Sequence, residues 1–206
     1  MADKSEREKP RTPESLQKLL TVDKVLTKTF CDMMDKFLPY TKYRKHYKFL
    51  EYSCHALPWF FACLGALWLL WNEDLFQTQV NLLFGILIAE SVQWLGKSAL
   101  PNPPSRKARC FPSKLYPSGG AIISTFVACF FCYLKPLYAH MRHLFVGWAA
   151  LVCVSRILSC KHSILDVICG IFLGYLSAWI LYHLWLGQDV CRFILTLEGG
   201  RMSSKF

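Results

Sequence analysis

Three stretches of this sequence hold side chains of the kind that bind and transfer phosphoryl groups. The first is Ser155-Arg156, followed by His162 and Asp166. Arg156 offers a planar fork of donors matched to phosphate oxygens. His162 and Asp166 stand four apart, so on a helix they share one face. A carboxylate one turn from an imidazole fixes its tautomer and stabilises its cation. The second stretch is Tyr116-Pro117-Ser118-Gly119-Gly120, which leads into an apolar run. Ser118 and Gly119 open that helix, whose first backbone N–H groups can cradle an anion. The third is Lys97, a point charge closing another apolar run. Each has a plain reading: a His–Asp pair can merely stabilise a loop, and an Arg at a span end can merely snorkel. It is the combination that points to anion chemistry.

Five apolar runs must position these groups. The chain is 53% hydrophobic, and much of that lies in long unbroken stretches. A bilayer core about 30 Å thick calls for roughly 20 such residues per helix. Spans are expected near 54–71, 78–96, 120–137, 144–158 and 164–185, several of them short. The fold class is therefore an all-α, multi-spanning membrane bundle of about five helices. Residues 1–50 form a basic N-terminal segment, 51–187 the membrane domain and 188–206 a C-terminal tail. The first fifty residues lack an apolar core able to act as a signal peptide, so the first span serves as the insertion signal.

Residues 1–12 read as disordered. Thr12 and Pro13 read as the start of an amphipathic helix. Leu16, Leu19, Leu20, Leu26, Phe30, Met33, Met34 and Phe37 form its apolar side. It is too charged to span, so it either lies on the membrane surface or packs on the bundle. Lys42, Arg44, Lys45 and Lys48, among Tyr43, Tyr47 and Phe49, read as an interfacial anchor rather than a nucleic-acid patch. The net charge of +10 fits an anionic membrane surface. Residues 1–51 carry twelve Lys and Arg, and 97–118 carry five with no acid. Both segments are expected on the cytosolic side.

Ser155-Arg156-x5-His162-x3-Asp166 resembles the third signature of the type 2 phosphatidic acid phosphatase and vanadium haloperoxidase superfamily. Pro117-Ser118-Gly119 is similar to the start of its second, Pro-Ser-Gly-His. Lys97 resembles the Lys opening its first, Lys-x6-Arg-Pro. Pro58-Trp59, Asn81-Leu82-Leu83-Phe84 and Gly170-Ile171-Phe172-Leu173-Gly174-Tyr175 look like the polyisoprenoid diphosphate phosphatase branch and its inactive nuclear-envelope relatives. The resemblance covers about residues 50–187. It implies that His162 is a nucleophile forming a phospho-histidine and that Asp166 orients it. It implies that Arg156, Ser118, Gly119 and Lys97 hold phosphoryl oxygens, and it needs no metal or other cofactor.

Two positions depart from the pattern. Position 104 is Pro where the first signature has Arg, and Arg106, two residues late, is the nearest substitute. Position 120 is Gly where the second has the general-acid His, a role typically worth about 10²–10⁴-fold. The expected function is a membrane phosphatase for isoprenoid diphosphates or phospholipid phosphates with an eroded site. The alternative is an inactive scaffold or regulator in the endoplasmic reticulum or nuclear envelope. A transporter is disfavoured, because no pair of matching broken helices is visible.

Other residues have plainer readings. Glu90 and Gln93 form a polar patch inside the second span. His55, at the start of the first, is a candidate to replace the lost acid. The remaining histidines read as interfacial. Most of the ten Cys lie in apolar runs, and the pair Cys129 and Cys132 reads as packing rather than metal binding. Ser-Lys-Phe at the end only weakly resembles a peroxisomal address.

Overall fold

Apolar segments in lipid must satisfy their own backbone N–H and C=O groups, and the α-helix does so within one segment. The computed structural model describes residues 14–37, 40–69, 73–98, 117–135, 139–159 and 161–199, and no strand occurs among them. The helices are α1 (Glu14–Asp35), α2 (Tyr40–Ser53), α3 (Ala56–Leu69), α4 (Glu73–Ser98), α5 (Gly119–Cys129), α6 (Ala139–Leu158), α7 (Ile164–His183) and α8 (Gln188–Gly199). A π-helical turn, Phe130–Leu134, continues α5 and closes with the Lys135 N–H donating to the Phe130 carbonyl at 2.8 Å.

Among the described residues, three segments are long and apolar enough to cross a membrane: Leu75–Ser98, Ala139–Leu158 and Ile164–His183. A fourth results if Lys45–Ser53 and Ala56–Leu69, bent by 58° at their junction, count as one. The expected run after Gly119 is helical but ends at Leu134, short of a span. Its surroundings explain why it tolerates that length. Ala121, Ile122, Phe126 and Val127 are fully buried, with α4, α6 and α7 packed around them. A helix apolar all round is a buried helix, and its neighbours rather than its own length meet the lipid.

The core joins α3, α4, α5 and α7 through Cys63, Ile86, Ile122, Phe126, Phe130 and Leu181. Buried polar side chains tie the elements where the backbone turns. The Asn81 amide accepts from the Leu186 N–H at 2.9 Å and donates to its carbonyl at 3.0 Å, holding the α7–α8 turn against α4. The indole N–H groups of Trp59 and Trp148 both donate to Ser53, at 2.9 and 3.1 Å, and pin the bend between α2 and α3 to α6. The segment after 187, expected as a tail, folds as α8, with Cys191 buried.

Thr12 and Pro13 lie outside the described residues. Helix α1 packs on the bundle through Asp23 and Thr27 together with Phe30 and Cys31. Asp23 and Thr27 are buried, whereas Val22, Val25, Leu26, Met33 and Phe37 are more than half exposed. The first turn of α7 lies beneath Asp23 and Thr27, and its N–H groups require acceptors.

Candidate functional site

The ends of five helices meet at one cavity. Ala56 opens α3, Lys97 closes α4, Gly119 and Gly120 open α5, Arg156 closes α6, and His162 stands just ahead of α7. All of them line a cavity of about 240 Å³, together with Glu51, Cys54, His55, Glu90, Gln93 and Lys161. From α3 to α7 the helices therefore alternate in direction, with every site-bearing end on the same side of the bundle.

Arg156 is nearly buried and engaged on two sides. Its Nη1 lies 3.2 Å from Glu51 Oε1, and its Nη2 donates to Cys54 Sγ at 3.2 Å. Its Nε has no partner among the described residues. Lys161 Nζ donates to both Glu51 oxygens, at 2.5 and 2.7 Å. Glu51 thus sits between two cations as an internal counter-ion. Partial burial pushes its carboxyl up, but hydrogen bonding and charge from Lys161, with Arg156 behind, outweigh that and hold it below its ordinary value.

His162 Nδ1 faces Asp166 Oδ2 at 3.8 Å, within ion-pair range but too far for a hydrogen bond. That nitrogen is buried and has no hydrogen-bond partner among the described residues. Asp166 is held by the helix start it belongs to. Its Oδ2 accepts from the Ser163 N–H at 3.2 Å, and its own N–H donates to Ser163 Oγ at 3.2 Å, closing a capping box.

Ser118 occupies the N-cap of α5, but its hydroxyl caps nothing. It is fully buried, its Oγ has no partner among the described residues, and it does not line the cavity. Its backbone N–H is already given to the Asp166 carbonyl at 3.2 Å, which ties α5 to α7. Gly119 and Gly120 remain as the part of this helix start that faces the cavity. Arg106 and Pro104 lie outside the described residues.

Gly120 has a further consequence. A Cβ there would come within 2.5 Å of Arg156 Nε and Nη2 and 2.8 Å of Cys54 Sγ. The space a side chain would need is filled by Arg156 and Cys54. The missing histidine and the Arg156–Cys54 contact are one packing arrangement.

Glu51, Cys54 and Lys161 were not singled out by spacing. Glu51 reads as one acid in a basic helix, and its partners stand more than a hundred residues away. Lys161 had a local signal, since it adjoins His162. His55 and Glu90 do reach the cavity wall.

Geometry and composition define an all-helical bundle of membrane-type helices with a cationic cavity at one end. A model of the PAP2 superfamily matches residues 90–188. That segment is similar to the same superfamily that the three signatures resemble, and it contains Lys97, Ser118, Gly119, Arg156, His162 and Asp166. Glu51, Cys54 and His55, which also line the cavity, lie outside it. No solved structure matches the chain.

Proposed function

We propose that this protein is an integral-membrane phosphatase of the lipid-phosphate type, with His162 as nucleophile and lipid diphosphates as its preferred substrates. The observation that carries this reading is the meeting of His162, Arg156, Lys97, Lys161 and the α5 start at one cavity. A second feature supports a lipid. An apolar groove of about 440 Å³, walled by Leu57, Phe60, Ile86 and Leu87, shares His55, Ala56, Glu90 and Gln93 with that cavity. A hydrocarbon chain joined to a phosphate in the cavity fits along it.

His162 Nδ1 is turned to Asp166, which leaves Nε2 for phosphorus. Its lone pair forms the N–P bond while the P–O bond to the leaving group breaks, and the electron pair departs with that oxygen. Asp166 stabilises the imidazolium, and water then cleaves the N–P bond to release phosphate. Arg156, Lys97, Lys161 and the N–H groups of Gly119 and Gly120 hold the phosphoryl oxygens. Incoming phosphate competes with Glu51 for Arg156 and Lys161. With Gly at position 120, the leaving group departs without the family's acid. Phosphatidate must expel an alkoxide, which needs a proton. A diphosphate expels a phosphate monoester, whose second pKa is about 6. Loss of the acid therefore penalises monoesters more.

The Glu51 pairing favours a second reading, in which the site holds a phosphate lipid without turnover and the protein acts as a scaffold or regulator. For either reading we place the protein in the endoplasmic reticulum or nuclear envelope, on the likeness to that branch, with the site facing the cytosol.

Phosphate release from farnesyl diphosphate and phosphatidate, by purified protein in detergent, separates the two. Faster turnover of the diphosphate, abolished in His162→Ala, is expected. Preference for phosphatidate refutes the leaving-group argument. No turnover of either, with vanadate still raising the thermal stability, supports the second reading.

A further inference from the structure

The first turn of α7 carries Asp166 and directly follows His162, and half of its cap comes from another helix. A helix start leaves its first N–H groups without intrahelical partners. Here the capping box satisfies Ser163 and Asp166. The other two are satisfied by α1: the Ile164 N–H donates to Thr27 Oγ1 at 3.2 Å, and the Leu165 N–H to Asp23 Oδ1 at 3.0 Å. Thr27 is fully buried and Asp23 nearly so. The Thr27 hydroxyl donates in turn to Asp23 Oδ1 at 3.4 Å. A carboxylate at this place also complements the positive end of the α7 dipole.

The same helix reaches the other side of the site. Cys31 Sγ donates to the Ile157 carbonyl at 3.4 Å, one residue beyond Arg156. Thus α1 bridges the end of α6, which carries Arg156, and the start of α7, which carries Asp166 and follows His162. It lies outside residues 90–188, the part similar to the superfamily model. Loss of these acceptors would loosen the turn in which the capping box holds the Asp166 carboxylate beside His162, and the His162–Asp166 separation would drift.

We propose that α1 is a positioning strap for the anion site, with Asp23 and Thr27 as positioning residues that hold His162 and Asp166 in register with Arg156. In calling the cavity an anion site, this rests on the function proposed above. The test uses the full chain in detergent, labelled with ¹³C-histidine, with the His162 ring resonance assigned by its loss in His162→Gln. Thr27→Val keeps the side-chain volume and removes the acceptor, and Thr27→Ser keeps the acceptor. Thr27→Val is expected to move the His162 resonance and to weaken vanadate binding roughly fivefold to tenfold, the scale of one lost hydrogen bond. Thr27→Ser is expected to restore both. Should Thr27→Val fail to fold, Asp23→Ala, which removes the acceptor of the Leu165 N–H, is read in the same way. A His162 resonance unchanged in these variants, while amide exchange at Ile164 or Leu165 rises, overturns the proposal and leaves α1 a purely structural cap. A resonance that moves in a protein that binds no vanadate sustains the strap and overturns the anion reading instead.

Discussion

Glu51 is the residue whose contacts most change the reading of the site. It places a carboxylate against Arg156 and Lys161, two of the cations that line the cavity with His162. Removing its charge frees both for an incoming anion. Glu51→Gln is therefore expected to tighten vanadate or phosphate binding several-fold, read by titration of the thermal shift. Weaker binding in that variant would mean that Glu51 supports the anion rather than competing with it. The pH dependence has a defined sign. Folding lowers the Glu51 pKa from its usual value of 4.5, so its pairing contributes fully above that value and is lost as pH falls through the lower folded value. The acid limb of the stability profile should be shallower in Glu51→Gln.

At the scale of elements, the close approach of α5 and α7 sets the separation between Gly119 and His162. Two glycines one turn apart make it. A Cβ on Gly170 would lie 2.8 Å from the Ser118 carbonyl, and one on Gly174 would lie 2.6 Å from the Ile122 carbonyl and 3.2 Å from the Phe126 nitrogen. These are backbone atoms, which cannot swing aside, and small residues at such spacing let helices touch. Gly174→Ala gains about 1 kcal/mol of helix propensity but overpacks the contact, which costs about 1–3 kcal/mol. A net loss of thermal stability is expected, together with weaker vanadate binding. Gly147 on α6 has open space around it, so Gly147→Ala is the control and should be neutral or stabilising. Equal behaviour of the two variants would remove the close approach from the account.

For the whole molecule, the shared end of α3 to α7 joins the orientation to the chemistry. The charge balance of residues 1–51 and 97–118 puts the cavity on the cytosolic side in our proposal. A glycosylation-acceptor tag inserted between 99 and 116 should remain unmodified in cells. One inserted between α3 and α4, near 70–72, should be modified. The reverse pattern would move the site to the luminal or exterior side, and with it the pool of substrate the protein meets.

Local pattern carried much of this protein. Apolar runs marked α4, α6 and α7, because a helix in lipid satisfies its backbone within its own segment and needs no distant partner, although the run at 144–158 read as short and α6 starts earlier, at Ala139. Spacing likewise put Arg156 near the end of an apolar run and His162 beside Asp166. His162 and Asp166 do face each other at 3.8 Å, but His162 stands ahead of the N-cap Ser163 and not on the helix as the four-residue spacing suggested. What required the tertiary structure was the second side of every contact. Ser118 turned inward, and its N–H went to Asp166. Glu51 and Cys54 reached Arg156 across 105 and 102 positions, and Asp23 reached Leu165 across 142. The spacing in α1 suggested one apolar side, but packing turned inward a mixed face, Asp23 and Thr27 with Phe30 and Cys31, and left Leu19, Leu26, Met33 and Phe37 exposed. Periodicity fixes which residues of a helix share a face, but the rotation of that helix about its axis is set by its neighbours. Here the unsatisfied N–H groups at the start of α7 gave Asp23 and Thr27 a buried role that no spacing within α1 could announce.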